Sequence, residues 1–110
     1  NIFQRATSAR DKRQVGASHN RLGNAYAAKD KHGKAKQHHE KALVIFLKVF
    51  GPSHPNIARA KRDLGYAMIR NKEKKLGLVF LIEAKDMFIA TEGAQYIETL
   101  ELIQNIKKLR

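Results

Sequence analysis

The sequence has no cysteine, no tryptophan and only two prolines among its 110 residues. Without cysteine there is no disulfide framework, no thiolate metal centre and no cysteine nucleophile. The same absence suits a reducing, cytoplasmic compartment. Scarce proline leaves long stretches free to run as helix. Long apolar runs are missing as well. The longest, Leu78 to Ile82, is far below the roughly 20 residues of a membrane span, so no membrane partner is expected. Asn1 opens no signal-peptide pattern, and the chain reads as an excised fragment. Acidic residues are few: 10 Asp and Glu face 22 Lys and Arg, a net charge of +12. Hydrophobic residues make up 43% of the chain, enough for a packed core and too many for wholesale disorder. A single small domain is expected.

The charge is uneven. Residues 1–75 hold 18 basic and 5 acidic side chains, whereas residues 76–110 hold 4 and 5. Any role for the positive charge therefore belongs to the first two-thirds, as solvated helix surface or as a patch for an acidic partner.

What is present is a repeat. At a shift of 42 residues Leu22 falls on Leu64, Gly23 on Gly65, Ala25 on Ala67, Ala42 on Ala84, Phe46 on Phe88 and Gly51 on Gly93. Val15 meets Ile57, Tyr26 meets Met68 and Ala35 meets Gly77, all without a gap. Each unit reads as two helices. Val15, Leu22 and Tyr26 form the buried stripe of the first, matched by Ile57, Leu64 and Met68. Ala35, His39, Ala42, Phe46 and Val49 form that of the second, matched by Gly77, Leu81, Ala84 and Phe88. These spacings place each set on one helical face. Lys31-His32-Gly33 and Asn71-Lys72 interrupt the units, and Gly51-Pro52-Ser53-His54-Pro55 separates them. Helices are expected at 9–29, 33–50, 55–71, 74–91 and 95–109. Ile2 and Phe3 fall in the tail of an earlier second helix. The small residues Gly23, Gly65, Ala35, Ala42, Gly77 and Ala84 mark places where helices approach closely, because larger side chains there would overpack. The run Leu76–Ile82 is too apolar for a one-sided helix. It is either buried on two sides or exposed as a contact surface.

Leu22-Gly23-Asn24-Ala25-Tyr26, with Ala35 and Ala42, resembles the tetratricopeptide repeat. The unit is longer than the usual 34 residues. The linker Phe50 to Ala58 is similar to the Gly-x-x-His-Pro-x-Val-Ala junction of kinesin-light-chain-type repeats. The resemblance implies an all-α superhelix of helix-turn-helix units: repeat 1 at 12–53, repeat 2 at 54–95 and a terminal helix at 96–110, which is a cap or a third unit cut short. It further implies that first helices line a concave groove for a peptide. The groove positions are Ala17, Asn20, Asn24, Ala27 and Ala28 in the first unit, and Arg59, Arg62, Tyr66, Ile69 and Arg70 in the second. The steps of three and four between Arg59, Arg62, Tyr66 and Arg70 put them on one face in any case. Arginine forks suit carboxylates, Asn can satisfy both groups of an extended backbone, and Asp63 can neutralise part of the charge. A protein or peptide partner with an acidic segment is expected, held chiefly by Asn20, Asn24, Arg59, Arg62, Tyr66 and Arg70. Unpaired end repeats leave self-association open.

No enzyme signature or cofactor motif accompanies this pattern. Gly51 to Pro55 lacks the spacing of a phosphate loop. His38 and His39 are adjacent, the other histidines are dispersed, and no carboxylate completes a metal set. Ser53-His54 reads as a helix cap. The competing reading is a nucleic-acid-binding module using Arg10, Lys12, Arg13, Lys29, Lys31, Lys34, Lys36 and Lys41. It has charge but lacks stacking aromatics, because Phe46, Phe80 and Phe88 belong to core stripes.

Overall fold

Each helix begins and ends where local chemistry demands it. The computed structural model describes residues 8–110, and these form five α-helices. Ile2 and Phe3 lie outside the described residues. Helix α1 (Ala9–Ala28) opens on a capping box: Asp11 N–H donates to Ser8 Oγ at 3.2 Å and Ser8 N–H to Asp11 Oδ2 at 3.3 Å. Two of the helix's unpaired amides are thereby satisfied. Helix α2 (His32–Phe50) stops at Gly51, whose φ of 83° is left-handed and open to glycine at no cost. Helix α3 (Pro55–Arg70) starts with proline in its first turn, and His54 Nδ1 caps it by accepting Asn56 N–H at 3.0 Å. Helices α4 (Lys74–Glu92) and α5 (Ile97–Leu109) follow.

The turn inside each unit differs from the expected break at Lys31-His32-Gly33. His32 and Gly33 are already helical. The left-handed residue is Asp30, at φ 60°, and its counterpart 42 residues on is Lys72, at φ 67°. Lys31 N–H returns to Tyr26 C=O at 2.9 Å and Glu73 N–H to Met68 C=O at 2.8 Å. These bonds close the last turn of each first helix and offset the left-handed strain.

The helices lie in two layers, with α1 against α2, α3 against α4, α2 against α3 and α5 against α4. One core joins Ala42, Leu43 and Phe46 of α2 to Ile57, Ala60, Leu64 and Met68 of α3. A second joins Ala58 of α3 and Leu81, Ala84 and Phe88 of α4 to Leu102 and Ile106 of α5. Against α4, α5 takes the place that α3 takes against α2. Val49 is only half-buried, and Leu43 fills the core instead. Val15 and Leu22 correct the expected stripe of α1. They are 50% and 44% exposed, whereas their counterparts Ile57 and Leu64 are 0% and 2% exposed. The reason is that α2 covers α3, and no described helix covers α1 on that side. In Leu76–Ile82, Phe80 turns toward the first core and Leu78 and Ile82 toward the second, while Leu76 and Val79 stay exposed.

Glycine sets the closest contact. A Cβ on Gly65 would lie 2.8 Å from Gly77 O, and one on Gly77 would lie 2.6 Å from Gly65 O. In the first unit a Cβ on Gly23 would instead lie 2.6 Å from Nε2 of the His39 ring. His39 thus occupies the place of Leu81 and is buried, its Nδ1 3.0 Å from Asn20 Oδ1. Among the described residues no helix is long and apolar enough to cross a membrane.

Candidate functional site

The first helices α1, α3 and α5 form one layer, and their facing side chains make its surface. Between α1 and α3 lies an open cleft of about 580 Å³. One wall is the α1 stripe Arg10, Arg13, Gln14, Ala17, Asn20 and Arg21, whose steps of three and four put them on a single face. The other wall is Asn56 and Arg59 of α3. The floor is aromatic: Phe46 and Phe50 of α2 and His54 of the linker. Phe50 and His54 stack at 4.0 Å, and the Arg13 guanidinium sits 6.0 Å from the Phe50 ring centroid. This distance is at the reach of a cation–π contact. Among the described residues, Arg10, Arg13 and Arg21 have no carboxylate within salt-bridge distance. Four arginine side chains thus rim an apolar base, three of them with unengaged charge.

The α3–α5 side is different, because its arginines already hold a carboxylate. Arg59 Nε donates to Glu98 Oε2 at 3.1 Å and Arg62 Nη1 to the same oxygen at 3.1 Å. Arg59 Nη2 donates to Tyr96 Oη at 2.9 Å, Tyr96 Oη donates to Glu98 Oε1 at 3.3 Å, and Arg59 Nη1 donates to Asn56 Oδ1 at 2.9 Å. Arg62 Nε completes its set on Asp63 at 3.2 Å. Burial pushes the Glu98 carboxyl up, but the Arg59 hydrogen bond and the charges of Arg59 and Arg62 outweigh it, so Glu98 titrates below the usual carboxylate range.

The six residues expected to act together are therefore distributed. Asn20 and Arg59 share the large cleft. Arg62 and Tyr66 line a smaller cavity with Glu98, Glu101 and Asn105, where Tyr66 Oη accepts from Asn105 Nδ2 at 2.8 Å. Arg70 lines a third hollow with Tyr66, Ile69 and Lys108. Asn24 stands exposed one turn beyond Asn20. The sequence reading gave Arg10 and Arg13 to the nucleic-acid alternative and His54 to a helix cap, and it singled out neither Arg21 nor Asn56, nor Phe50 as part of a cleft. Arg10 and Arg13 were within reach, since they continue the Ala17–Asn20 stripe toward the start of α1. The basic residues of the nucleic-acid reading do not form one surface. Arg10 and Arg13 face the cleft, Lys36 is bound to Glu73 at 2.7 Å, and Lys34 lies over Tyr26 at 5.5 Å.

Among known proteins, the family model described as "Tetratricopeptide repeat" matches residues 14–76, more than half of the chain. No curated protein matches the sequence.

Proposed function

The chain belongs to the tetratricopeptide repeat family, and from that premise we propose that it is a non-catalytic interaction module that binds an acidic segment of another protein in the α1–α3 cleft. We assign it to the kinesin-light-chain type, with a first unit at 12–53, a second at 54–95 and a terminal helix at 96–110, acting in the cytoplasm. The observation that carries the binding assignment is the cleft itself: among the described residues, Arg10, Arg13 and Arg21 have no acidic partner, and they stand around the Phe50–His54 floor. Guanidinium forks select carboxylates, and the stacked floor suits an apolar or aromatic side chain between them. The Glu98 cluster supports the choice of ligand, because two arginines and a tyrosine of the same layer already coordinate a carboxylate. We further assign Asn20, whose Oδ1 already meets His39 Nδ1 and whose amide nitrogen is left for a ligand, and Asn24 to the peptide backbone, with Arg62, Tyr66 and Arg70 as outlying contacts toward α5.

The test is fluorescence anisotropy with two labelled peptides. One carries Asp and Glu around a single Trp, and the other carries Asn and Gln in their place. The acidic peptide is expected to bind at least about tenfold more tightly. The pair Arg13→Glu and Arg21→Glu is expected to abolish the difference. Equal affinity for the two peptides overturns the assignment.

A further inference from the structure

We infer that His39 of α2 is a positioning residue for Asn20: its Nδ1–H holds the Asn20 side-chain carbonyl inward, so that Asn20 offers the cleft N–H donors alone and selects a main-chain carbonyl of the bound segment. The role toward a ligand rests on the α1–α3 cleft being the binding site.

Two departures from the repeat coincide. At the 42-residue shift His39 matches Leu81 and Asn20 matches Arg62. Leu81 is 0% exposed and packs on Gly65, where a Cβ would lie 2.9 Å from its Cδ2. The second unit thus fills this place with an apolar side chain. The first unit fills it with an imidazole that is 2% exposed. A ring nitrogen so deep in the core is costly unless it is hydrogen-bonded. Its partner is Asn20 Oδ1, at 3.0 Å. Asn20 is also the neutral polar side chain that α1 sets between Arg13 and Arg21 in the cleft wall. The two substitutions are therefore one device, which joins a buried ring to a cleft side chain.

Gly23 seats the ring. A Cβ there would lie 2.6, 2.7 and 2.8 Å from its Nε2, Cε1 and Cδ2. That edge of the imidazole rests on bare α1 backbone, one turn from Asn20, and Nδ1 is the ring nitrogen that meets the amide. A carbonyl oxygen has no proton to give, so the proton of this bond sits on Nδ1. Burial lowers the titration of His39 and favours the neutral ring, whose single N–H is then committed to Asn20. With Oδ1 engaged, the other branch of the planar amide, Nδ2 with two N–H groups, is the one left for the cleft. Two donors match a main-chain carbonyl and leave a main-chain N–H unpaired, which discriminates between registers of the same peptide. The arginines select its carboxylates.

The test sets affinity against stability, with the whole chain and the labelled acidic peptide containing Trp. His39→Leu copies Leu81, so it should melt at the same temperature or higher, yet bind the peptide about five- to tenfold more weakly, the size of one lost hydrogen bond. His39→Asn keeps an amide donor near the place of Nδ1 but fills less space, so it should melt lower yet bind within about twofold of the unaltered chain. Asn20→Ala should weaken binding as much as His39→Leu does, and combining the two should weaken it no further. In the free chain, nitrogen-15 spectra of the imidazole should place the His39 proton on Nδ1. A proton on Nε2, undiminished affinity in His39→Leu, a full further loss in the double variant, or affinities that merely follow melting temperature would each overturn the inference. If the unaltered chain binds no acidic peptide, the cleft reading falls and takes the ligand role of His39 with it. The position of the proton, read with no peptide present, tells that failure from a failure of His39 to hold Asn20.

Discussion

Arg59 and Glu98 stand 39 positions apart in sequence and meet side chain to side chain, with Nε donating to Oε2 at 3.1 Å and Arg62 reaching the same oxygen. Glu98 thus occupies, from within, the part of the layer that an acidic peptide would use. Replacing it by Gln removes the competing charge. Glu98→Gln is expected to tighten binding of an acidic peptide several-fold. Its cost is about 0.5–1 kcal/mol of stability, since the pair is partly exposed. Titration calorimetry and thermal melts check both effects. The depressed titration of Glu98 also fixes a sign. Its ionic contribution is present above the ordinary carboxylate range and is lost as pH falls through its folded value. Glu98→Gln should flatten that acid limb.

A second prediction concerns the histidines of the first unit. Burial lowers the titration of His38 and His39. For His38 the charges of His19 and Lys41 add to it, and for His39 Asp63 opposes it in part. Both groups are thus favoured neutral in the folded chain. The stability they confer is complete above the ordinary histidine value of 6.5 and is lost as pH falls below it through the folded values. Melting temperature should be level from pH 8 to about pH 7 and decline toward pH 5. His38→Phe, which copies Phe80 of the second unit, should reduce the decline.

Thr99 supplies a third. It is 0% exposed, at the position of Ile57, and its hydroxyl has no hydrogen-bond partner. A buried unsatisfied hydroxyl costs about 1–3 kcal/mol. Thr99→Val is therefore expected to stabilise the chain by about 1 kcal/mol, measured as a shift in denaturation midpoint at unchanged slope.

The crossing of α3 and α4 gives a fourth. Ala at Gly65 would press on a backbone oxygen at 2.8 Å, which cannot move aside alone. Gly65→Ala should cost about 3 kcal/mol, the upper end of overpacking. Gly33→Ala, at an exposed helical site with only Asn71 Oδ1 nearby at 3.9 Å, should instead gain about 0.5–1 kcal/mol. Chemical denaturation of both variants separates steric conflict from helix propensity.

The helices were legible because their signals are local: Gly51 and Pro55 punctuate, and Phe46 and Phe88 mark equivalent faces. The exposure of Val15 and Leu22 was not legible. Their spacing is identical to that of Ile57 and Leu64, and only a neighbouring helix decides whether such a stripe is core. The break expected at Lys31-His32-Gly33 falls a little earlier, at Asp30, because bonds to Tyr26 and Ala27 hold a non-glycine in the left-handed place. Of the site, the stripe of α1 was visible in part. The Glu98 clamp was not, because no periodicity links residues brought together by stacking α5 on α3. Phe50 and His54 read as the end of one helix and the cap of the next, and only the linker's path makes them a floor.

The central claim is that the arginine-rimmed cleft holds the acidic segment. Backbone amide shifts of the whole chain, followed during titration with the acidic Trp-containing peptide, test it most directly. The account predicts that the largest changes fall on Arg10, Arg13, Ala17, Asn20 and Arg21 of α1 and on Asn56 and Arg59 of α3, and that they disappear with the Asn and Gln peptide. Changes confined to α2 and α4, or equal changes with both peptides, would contradict it.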